Sequence, residues 1–154
     1  MSEIQPIRSI LLATDFSDRS AAAESYAVAM AAGFSAVLHV VSAIEPIMGL
    51  EPGDEDAAEF EEFYRRLASR ADREIEARLA SWTEINLIVK HHVEIGPRWK
   101  VIVEHAIREK VDLVVLGRGP SKDRRTGHLG TTSQKVFFTC PSPVMFVPQD
   151  ANAV

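Results

Sequence analysis

Basic residues and glycines are concentrated in one stretch of this chain, residues 117–132. The stretch contains a single acid, Asp123, although the protein as a whole carries a formal net charge of -5. Its cations are Arg118, Lys122, Arg124 and Arg125. Glycine allows the backbone to approach a ligand closely, and the helix expected after Gly130 would present free N–H groups to negative charge. These features favour an anion as the partner, and a solvated loop without a ligand is the alternative.

A second polar segment, residues 13–17, follows the first predicted strand. In open α/β sheets, ligands bind beyond the carboxyl ends of the strands, where neighbouring connections diverge to opposite faces. The basic stretch follows the fourth predicted strand in the same way. Asp15 is therefore a candidate ligand-binding residue, and a turn residue beside Ser17 is an equally good interpretation.

Other residue types that could do chemistry give weaker signals. The five histidines, which form no spaced ligand set, are His39, His91, His92, His105 and His128. His91 and His92 are adjacent on a predicted strand, so they point to opposite faces and cannot both serve one metal site. His128 lies in the basic stretch and could contact phosphate when protonated. The lone Cys140 is interpreted as a small buried thiol near a helix end. Because no acid–base set can be assembled, the sequence favours binding over turnover.

Strand and helix patterns alternate along the whole chain. Apolar runs typical of buried strands cover residues 7–13, 36–41, 85–95, 111–116 and 144–147. Helical spacing covers residues 19–32, 57–82, a segment opened by Gly96-Pro97, and 131–138. The apolar stripe of the second helix, which includes its aromatic residues, is interpreted as core. This alternation predicts one α/β domain over residues 1–154, with a mostly parallel sheet and helices on both faces.

Capping and breaking residues predict where the elements end. Gly33 is expected to end the first helix, and Thr131 with Gln134 matches a capping box at the start of the last one. Residues 44–56 contain prolines, glycines and acids, so they are expected to form an exposed connection. Residues 149–154 are expected to form a polar tail.

Composition excludes several classes of protein. With 46% hydrophobic and 25% charged residues, the chain resembles an ordinary globular domain. The net charge of -5 argues against a nucleic-acid partner. No apolar run approaches the ~20 residues of a membrane helix, and no secretory leader is recognisable. A single cysteine offers no disulfide framework, so a cytoplasmic location is expected.

The end of the fourth strand, the basic stretch and the following helix resemble the universal stress protein family. Its nucleotide-binding members carry Gly-x2-Gly-x9-Gly-Ser/Thr, and Gly117, Gly130 and Thr131 fall at three of these four places. Pro120 stands at the second glycine, where it removes a backbone N–H donor. Further similar segments are ILLATDFS at 10–17, LHVV at 38–41, GP at 96–97, DLVVLG at 112–117 and PSPVMFV at 141–147.

This resemblance implies a Rossmann-like, five-stranded parallel sheet of order 3-2-1-4-5 that binds an adenine nucleotide, ATP or AMP with or without Mg²⁺, between strands 1 and 4. The implied nucleotide-binding residues are Ala13, Thr14, Asp15, Val40, Leu116, Gly117, Arg118, Gly119, Lys122, Arg125, Gly130, Thr131 and Thr132. Asp15 would meet the ribose or adenine side, and Gly117 with residues 130–132 would hold phosphates. The resemblance also implies a homodimer through residues 144–147 and at most slow ATP hydrolysis. The alternative is a dimeric signalling or scaffold protein of the same fold that binds no nucleotide.

Overall fold

Five strands and four helices alternate in the computed structural model, which describes residues 3–47, 57–119 and 129–151. The strands are β1 (Ser9–Ala13), β2 (Val37–Ile44), β3 (Val89–Ile95), β4 (Leu113–Arg118) and β5 (Val144–Pro148). The helices are α1 (Ala21–Phe34), α2 (Ala57–Glu84), α3 (Arg98–Glu109) and α4 (Thr131–Thr139). The alternation read from hydrophobic spacing is therefore confirmed.

The strands form one parallel sheet in the order β3-β2-β1-β4-β5. This is the order that the family resemblance implies. Ala13 at the end of β1 lies opposite Leu116 of β4, so the segments that follow these two strands leave the sheet side by side. The chain leaves β1 towards β2, on one side of the β1/β4 pair, whereas it leaves β4 towards β5, on the other side of the pair. This is the point of divergence at which open α/β sheets bind ligands.

The core lies in two layers, one on each face of the sheet, because strand residues alternate between the faces. On one face, Ile10 and Leu12 pack with the small side chains of α1 and with Ile75 of α2. On the other face, Leu11 and Val41 pack with residues of α3 and with Val136 of α4. Both faces are thus covered by helices, which explains why the central strands are almost wholly apolar.

The two helix ends predicted from capping residues are wrong. Helix α1 runs through Gly33 to Phe34, and Ser35 takes the left-handed conformation instead, with φ 54°. A hydrogen bond from Ala36 N to Ala31 O, 2.8 Å long, closes this end and holds the buried Ala36 against the core. Helix α4 is capped by Gly130, so Thr131 is its first helical residue and forms no capping box.

Other boundaries shift by a few residues. Strand β2 extends to Ile44, which is buried, so the predicted connection 44–56 begins one residue too early. Strand β4 extends through Gly117 and Arg118. Residues 48–56 and 152–154 lie outside the described part, but Gln149 N donates to Arg118 O and joins the start of the tail to β4.

The long helix α2 is buried over only part of its length. Ala71 and Ile75 are buried, whereas Phe63 is 42% exposed, so the prediction that the whole aromatic stripe is core is wrong near the start of the helix. Among the described helices, none is both long and apolar enough to cross a membrane.

Candidate functional site

A cavity of about 350 Å³ lies at the carboxyl ends of β1 and β4. Its walls come from the connection between β1 and α1, the carboxyl ends of β2 and β4, the amino ends of α3 and α4, and the residue after β5. Its lining residues are Ala13, Thr14, Asp15, Arg19, Ser20, Val41, Ala43, Arg98, Ile102, Leu116, Gly117, Arg118, Gly119, Gly130, Thr131, Thr132, Ser133 and Gln149. The volume falls within the range of small-molecule sites, roughly 300–1,000 Å³.

Buried hydrogen bonds fix the wall after β1. The Thr14 hydroxyl donates to Glu24 Oε1 over 2.8 Å and accepts from Phe16 N over 2.9 Å. Phe16 has φ 59°, an uncommon conformation for an aromatic residue, and the bond to its N–H helps to hold it there. Glu24 also accepts from Arg78 Nε of α2 over 2.7 Å. A chain of contacts therefore connects α2, through α1, to the wall of the cavity.

Asp15 is anchored by its Oδ1 atom. Ser17 N donates to this oxygen over 3.0 Å, and the hydroxyls of Ser17 and Ser20 donate to it over 2.6 Å each. Burial favours the protonated acid, but these hydrogen bonds and the positive charge of Arg98 outweigh it and lower the pKa of Asp15. The carboxylate is therefore ionised at neutral pH, where it shapes the connection and leaves Oδ2 outside these three bonds.

Gly117 allows α1 to approach β4 closely. A Cβ atom at this position would lie 3.2 Å from Arg19 O and 3.8 Å from Ser20 Cα, both of them backbone atoms. The contact of 3.2 Å is tighter than a Cβ atom usually makes, so a side chain at residue 117 would push the strand and the segment before α1 apart by a few tenths of an ångström. At Gly130, by contrast, a Cβ atom would meet nothing within 4 Å.

The cavity has the electrostatic character of an anion site. Arg19, Arg98 and Arg118 line it, and Asp15 is the single acid among its described lining residues. The amino end of α4 opens into the same space, and its first intrahelical bond runs from Gln134 N to Gly130 O over 2.9 Å. The preceding helical N–H groups point towards the cavity end of the helix, where negative charge is favoured.

Comparisons with known proteins identify the family. The model of the universal stress protein family matches residues 6–148. The chain belongs to the universal stress protein family. A curated relative from Thermus aquaticus, the universal stress protein in the QAH/OAS sulfhydrylase 3′ region, is 34% identical over an alignment of 144 residues, and the alignment covers 91% of this chain and 98% of the relative.

Solved universal stress proteins have the same fold. UspA from Lactobacillus plantarum superposes with a TM-score of 0.80 at 22% identity, over 94% of this chain and 99% of that one. The universal stress protein from Archaeoglobus fulgidus in complex with dAMP gives a TM-score of 0.56 at 18% identity, over 92% and 98% of the two chains.

Most of the residues predicted for the site of this universal stress protein come together in the cavity. They are Ala13, Thr14, Asp15, Leu116, Gly117, Arg118, Gly119, Gly130, Thr131 and Thr132. Val40, whose backbone the resemblance assigns to the base, is absent from the lining: its side chain packs on the α1/α2 face of the sheet, and its neighbour Val41 lines the cavity. Lys122 and Arg125 lie outside the described residues, as do Pro120, Arg124 and His128.

Sequence reasoning missed several lining residues. Arg19 lies just before α1, and Arg98 is the first residue of α3. Both are outside the basic stretch, so local composition does not single them out. Gln149 lies in the segment predicted to be a polar tail. The signal that could have found Arg98 is its place directly after Gly96-Pro97 at the carboxyl end of β3, since that edge of the sheet carries the site.

Three of the five histidines lie together in space, although the five form no spaced ligand set in the sequence. His39, His92 and His105 come together on the α3/α4 face, and one ring nitrogen of each lies within 4.8 Å of the others. They come from β2, β3 and α3, so their spacing along the chain gives no sign of it. His91 does point to the opposite face, as predicted, where its Nδ1 lies 3.6 Å from Asp72 Oδ1.

Proposed function

We propose that this universal stress protein is a stress-response binding module that holds an adenine nucleotide, ATP or AMP, in the cavity between β1 and β4. The observation that carries the proposal is the convergence of three arginines and the amino end of α4 on one cavity at the divergence point of the sheet. A phosphate group is the ligand that such a helix end and such cations favour. The structural relative solved with dAMP supports the same ligand class.

The lining offers a place for each part of a nucleotide. Gly117 and the first turn of α4, beginning at Thr131, would hold the phosphates through backbone N–H groups. The apolar side chains Ala13, Val41 and Ile102 would contact the base. Asp15, through Oδ2, would accept from a ribose hydroxyl.

Magnesium would enter on the phosphates of ATP rather than on a protein carboxylate. Asp15 is the single acid that lines the described cavity, and its Oδ1 is engaged by Ser17 and Ser20. A dedicated magnesium site generally needs one or two carboxylates in addition to the phosphates. The protein accordingly acts by binding, with hydrolysis slow or absent.

A glutamate at position 131 tests this proposal. Thr131→Glu adds negative charge to the first turn of α4, which stabilises a helix but repels a phosphate. We expect affinity for ATP and AMP, measured by isothermal titration calorimetry with Mg²⁺ present, to fall about tenfold or more. Thr139→Glu is the matched control, because it adds the same charge at the exposed opposite end of the same helix. It is expected to leave affinity within about twofold.

Two results would overturn parts of this proposal. Wild-type protein that neither takes up ATP or AMP at millimolar concentration nor releases nucleotide on denaturation, as measured by mass spectrometry, would reject nucleotide binding and favour the alternative function, a dimeric signalling or scaffold protein of the same fold. An equal loss of affinity in Thr131→Glu and Thr139→Glu would reject the placement of the phosphates at the amino end of α4.

We further propose that two copies of the chain associate through β5. This strand lies at the edge of the sheet, and Val144, Met145 and Phe146 are only half-buried. An apolar edge with unpaired backbone groups favours pairing with another strand. Light scattering at micromolar concentration is expected to give twice the mass of one chain, and a monomeric mass would overturn this proposal.

A further inference from the structure

Three histidines lie close together beneath α3, away from the proposed nucleotide cavity. His39 lies on β2 opposite Leu11, His92 lies on β3 opposite Val41, and His105 lies on α3 above them. Leu11 and Val41 both face the α3/α4 side, so the two strand histidines point to the same side. The ring centroids of His92 and His105 are 4.1 Å apart, and that of His39 lies 6.0 and 5.9 Å from them.

Each ring leaves one nitrogen without a partner. Nδ1 of His39 and Nε2 of both His92 and His105 are buried, and none has a hydrogen bond within the described part of the chain. A buried polar atom without a partner costs about 1–3 kcal/mol. Three such atoms in one cluster are a larger cost than a fold usually retains without a compensating ligand. None of the three residues lines the nucleotide cavity.

We propose that His39, His92 and His105 bind a divalent transition-metal ion of the zinc class. Three imidazoles with an open fourth position are an established ligand set for Zn²⁺. Tetrahedral coordination with Zn–N bonds of about 2.0–2.1 Å places ligand nitrogens roughly 3.3–3.5 Å apart. The ring nitrogens here lie within 4.8 Å of one another, so modest ring rotation completes the site. His92 is partly exposed, and it provides both the freedom to rotate and a path of entry.

A carboxylate of the kind that orients zinc-binding histidines lies near the outer nitrogen of His105. Glu94 Oε1 lies 3.6 Å from its Nδ1, on the side away from the cluster. If it moved within hydrogen-bond distance, this carboxylate would accept the Nδ1 proton and leave the Nε2 lone pair for the metal. The negative charge of Glu109 also acts on both His39 and His105, and favours a cation between them.

Arg108 opposes the metal-binding form of His105. One of its guanidinium nitrogens donates to His105 Nδ1 over 2.6 Å, which places the ring proton on Nε2, towards the cluster. Metal binding therefore requires the ring to change tautomer, so that its proton lies on Nδ1, towards Glu94, instead of on Nε2. The Arg108 guanidinium must also move away from Nδ1. Arg108 also donates to Glu94 Oε1 over 2.5 Å, but its side chain is 53% exposed, so solvent can replace that contact when the guanidinium moves. Arg108 and the metal thus compete for the same histidine.

Zinc and cobalt titrations of the full, tag-free chain test the site. After treatment with a chelator, wild-type protein is expected to bind one Zn²⁺ per chain in calorimetry. With Co²⁺ it should develop the visible absorption of a four-coordinate complex. Thermal stability should then rise with the concentration of free Zn²⁺, because a ligand that binds only the folded state stabilises it. Failure of the wild-type protein to bind either metal would overturn the proposal.

Substitutions on β3 supply a matched pair. His92→Asn is expected to weaken Zn²⁺ binding at least about tenfold, whereas His91→Asn, one residue away on the opposite face, should leave it unchanged. His39→Gln provides a second ligand variant should His92→Asn fold poorly. Glu94→Gln is expected to weaken Zn²⁺ binding about 10–100-fold, whereas Arg108→Met is expected to strengthen it. A purely structural role of these two residues would not change Zn²⁺ affinity in opposite directions. Equal effects of the His91 and His92 substitutions would reject the assignment.

Discussion

Replacing Arg78 by methionine is expected to lower the free energy of unfolding by about 3 kcal/mol, although Arg78 does not line the cavity between β1 and β4. Arg78 Nε donates to Glu24 Oε2 over 2.7 Å, and the Glu24 side chain is only 11% exposed. Methionine preserves much of the side-chain volume and removes the positive charge. Glu24 then remains as a buried carboxylate without its counter-charge, which costs more than an exposed ion pair contributes.

The same substitution should also weaken nucleotide binding. Glu24 accepts a hydrogen bond from the Thr14 hydroxyl, and Thr14 Oγ1 in turn accepts one from Phe16 N. The Arg78 guanidinium lies 4.7 Å from the centre of the Phe16 ring. Loss of Arg78 thus releases contacts on both sides of the segment that contains Asp15. We expect calorimetry to show a severalfold lower affinity for AMP at a temperature where the variant remains folded.

Two further variants separate this charge effect from a general effect on α2. Arg73→Met removes a charge from an exposed position of the same helix and is expected to change stability by less than about 0.5 kcal/mol. Adding Glu24→Met to Arg78→Met removes the isolated carboxylate and should recover part of the lost stability in urea unfolding. A loss no greater than that of Arg73→Met would contradict the argument.

The positions of Arg78 and Glu24 illustrate what the sequence could and could not predict. The alternation of strands and helices follows from hydrophobic spacing, and the resemblance around Gly117 and Gly130 implied the strand order that places β1 beside β4. The ion pair between Arg78 and Glu24 joins α2 to α1 through two residues that are 54 positions apart in sequence, and no local pattern encodes such a contact. Local rules therefore predict the elements and the edge that carries the site, but not the contacts that hold the site's walls.

Local rules also failed where packing overrides them. Gly33 is a good helix terminator, yet α1 continues past it because Ser35 adopts the left-handed conformation and Ala36 is buried against the core. The alternation of side chains along a strand correctly separated His91 from His92. It could not show that α3 would place His105 above His92. The cluster of His39, His92 and His105 therefore arises from three-dimensional packing alone.

Acid is expected to destabilise the metal-free protein through His105. Burial lowers the pKa of this fully buried ring to about 4, with His92 and Arg108 acting in the same direction and Glu109 and Glu94 opposing them. In the unfolded chain a histidine has a pKa near 6.5. Between these values the unfolded chain takes up a proton that the folded one does not. The stability that this neutral ring maintains is thus present above about pH 6.5 and lost as the pH falls towards 4.

The pKa difference corresponds to an upper value of about 3 kcal/mol between pH 7 and pH 4. His39 and His91 contribute in the same direction, because burial also lowers the pKa of each. The pKa values of Asp15 and Glu94 are lowered in the folded protein. The stability that these two acids contribute is therefore lost only as the pH falls below the ordinary carboxyl range, which lies largely outside the window from pH 7 to pH 4.

Comparison with His105→Gln isolates the contribution of His105. Glutamine does not titrate, so the stability difference between wild type and variant should shrink, or reverse in sign, by up to about 3 kcal/mol from pH 7 to pH 4. Urea unfolding of chelator-treated protein at several pH values measures this difference, and the other histidines and carboxylates are common to both proteins. A difference independent of pH would mean that His105 titrates alike in the folded and unfolded states. The ring would then lie in an environment as polar as water, contrary to its complete burial beneath α3.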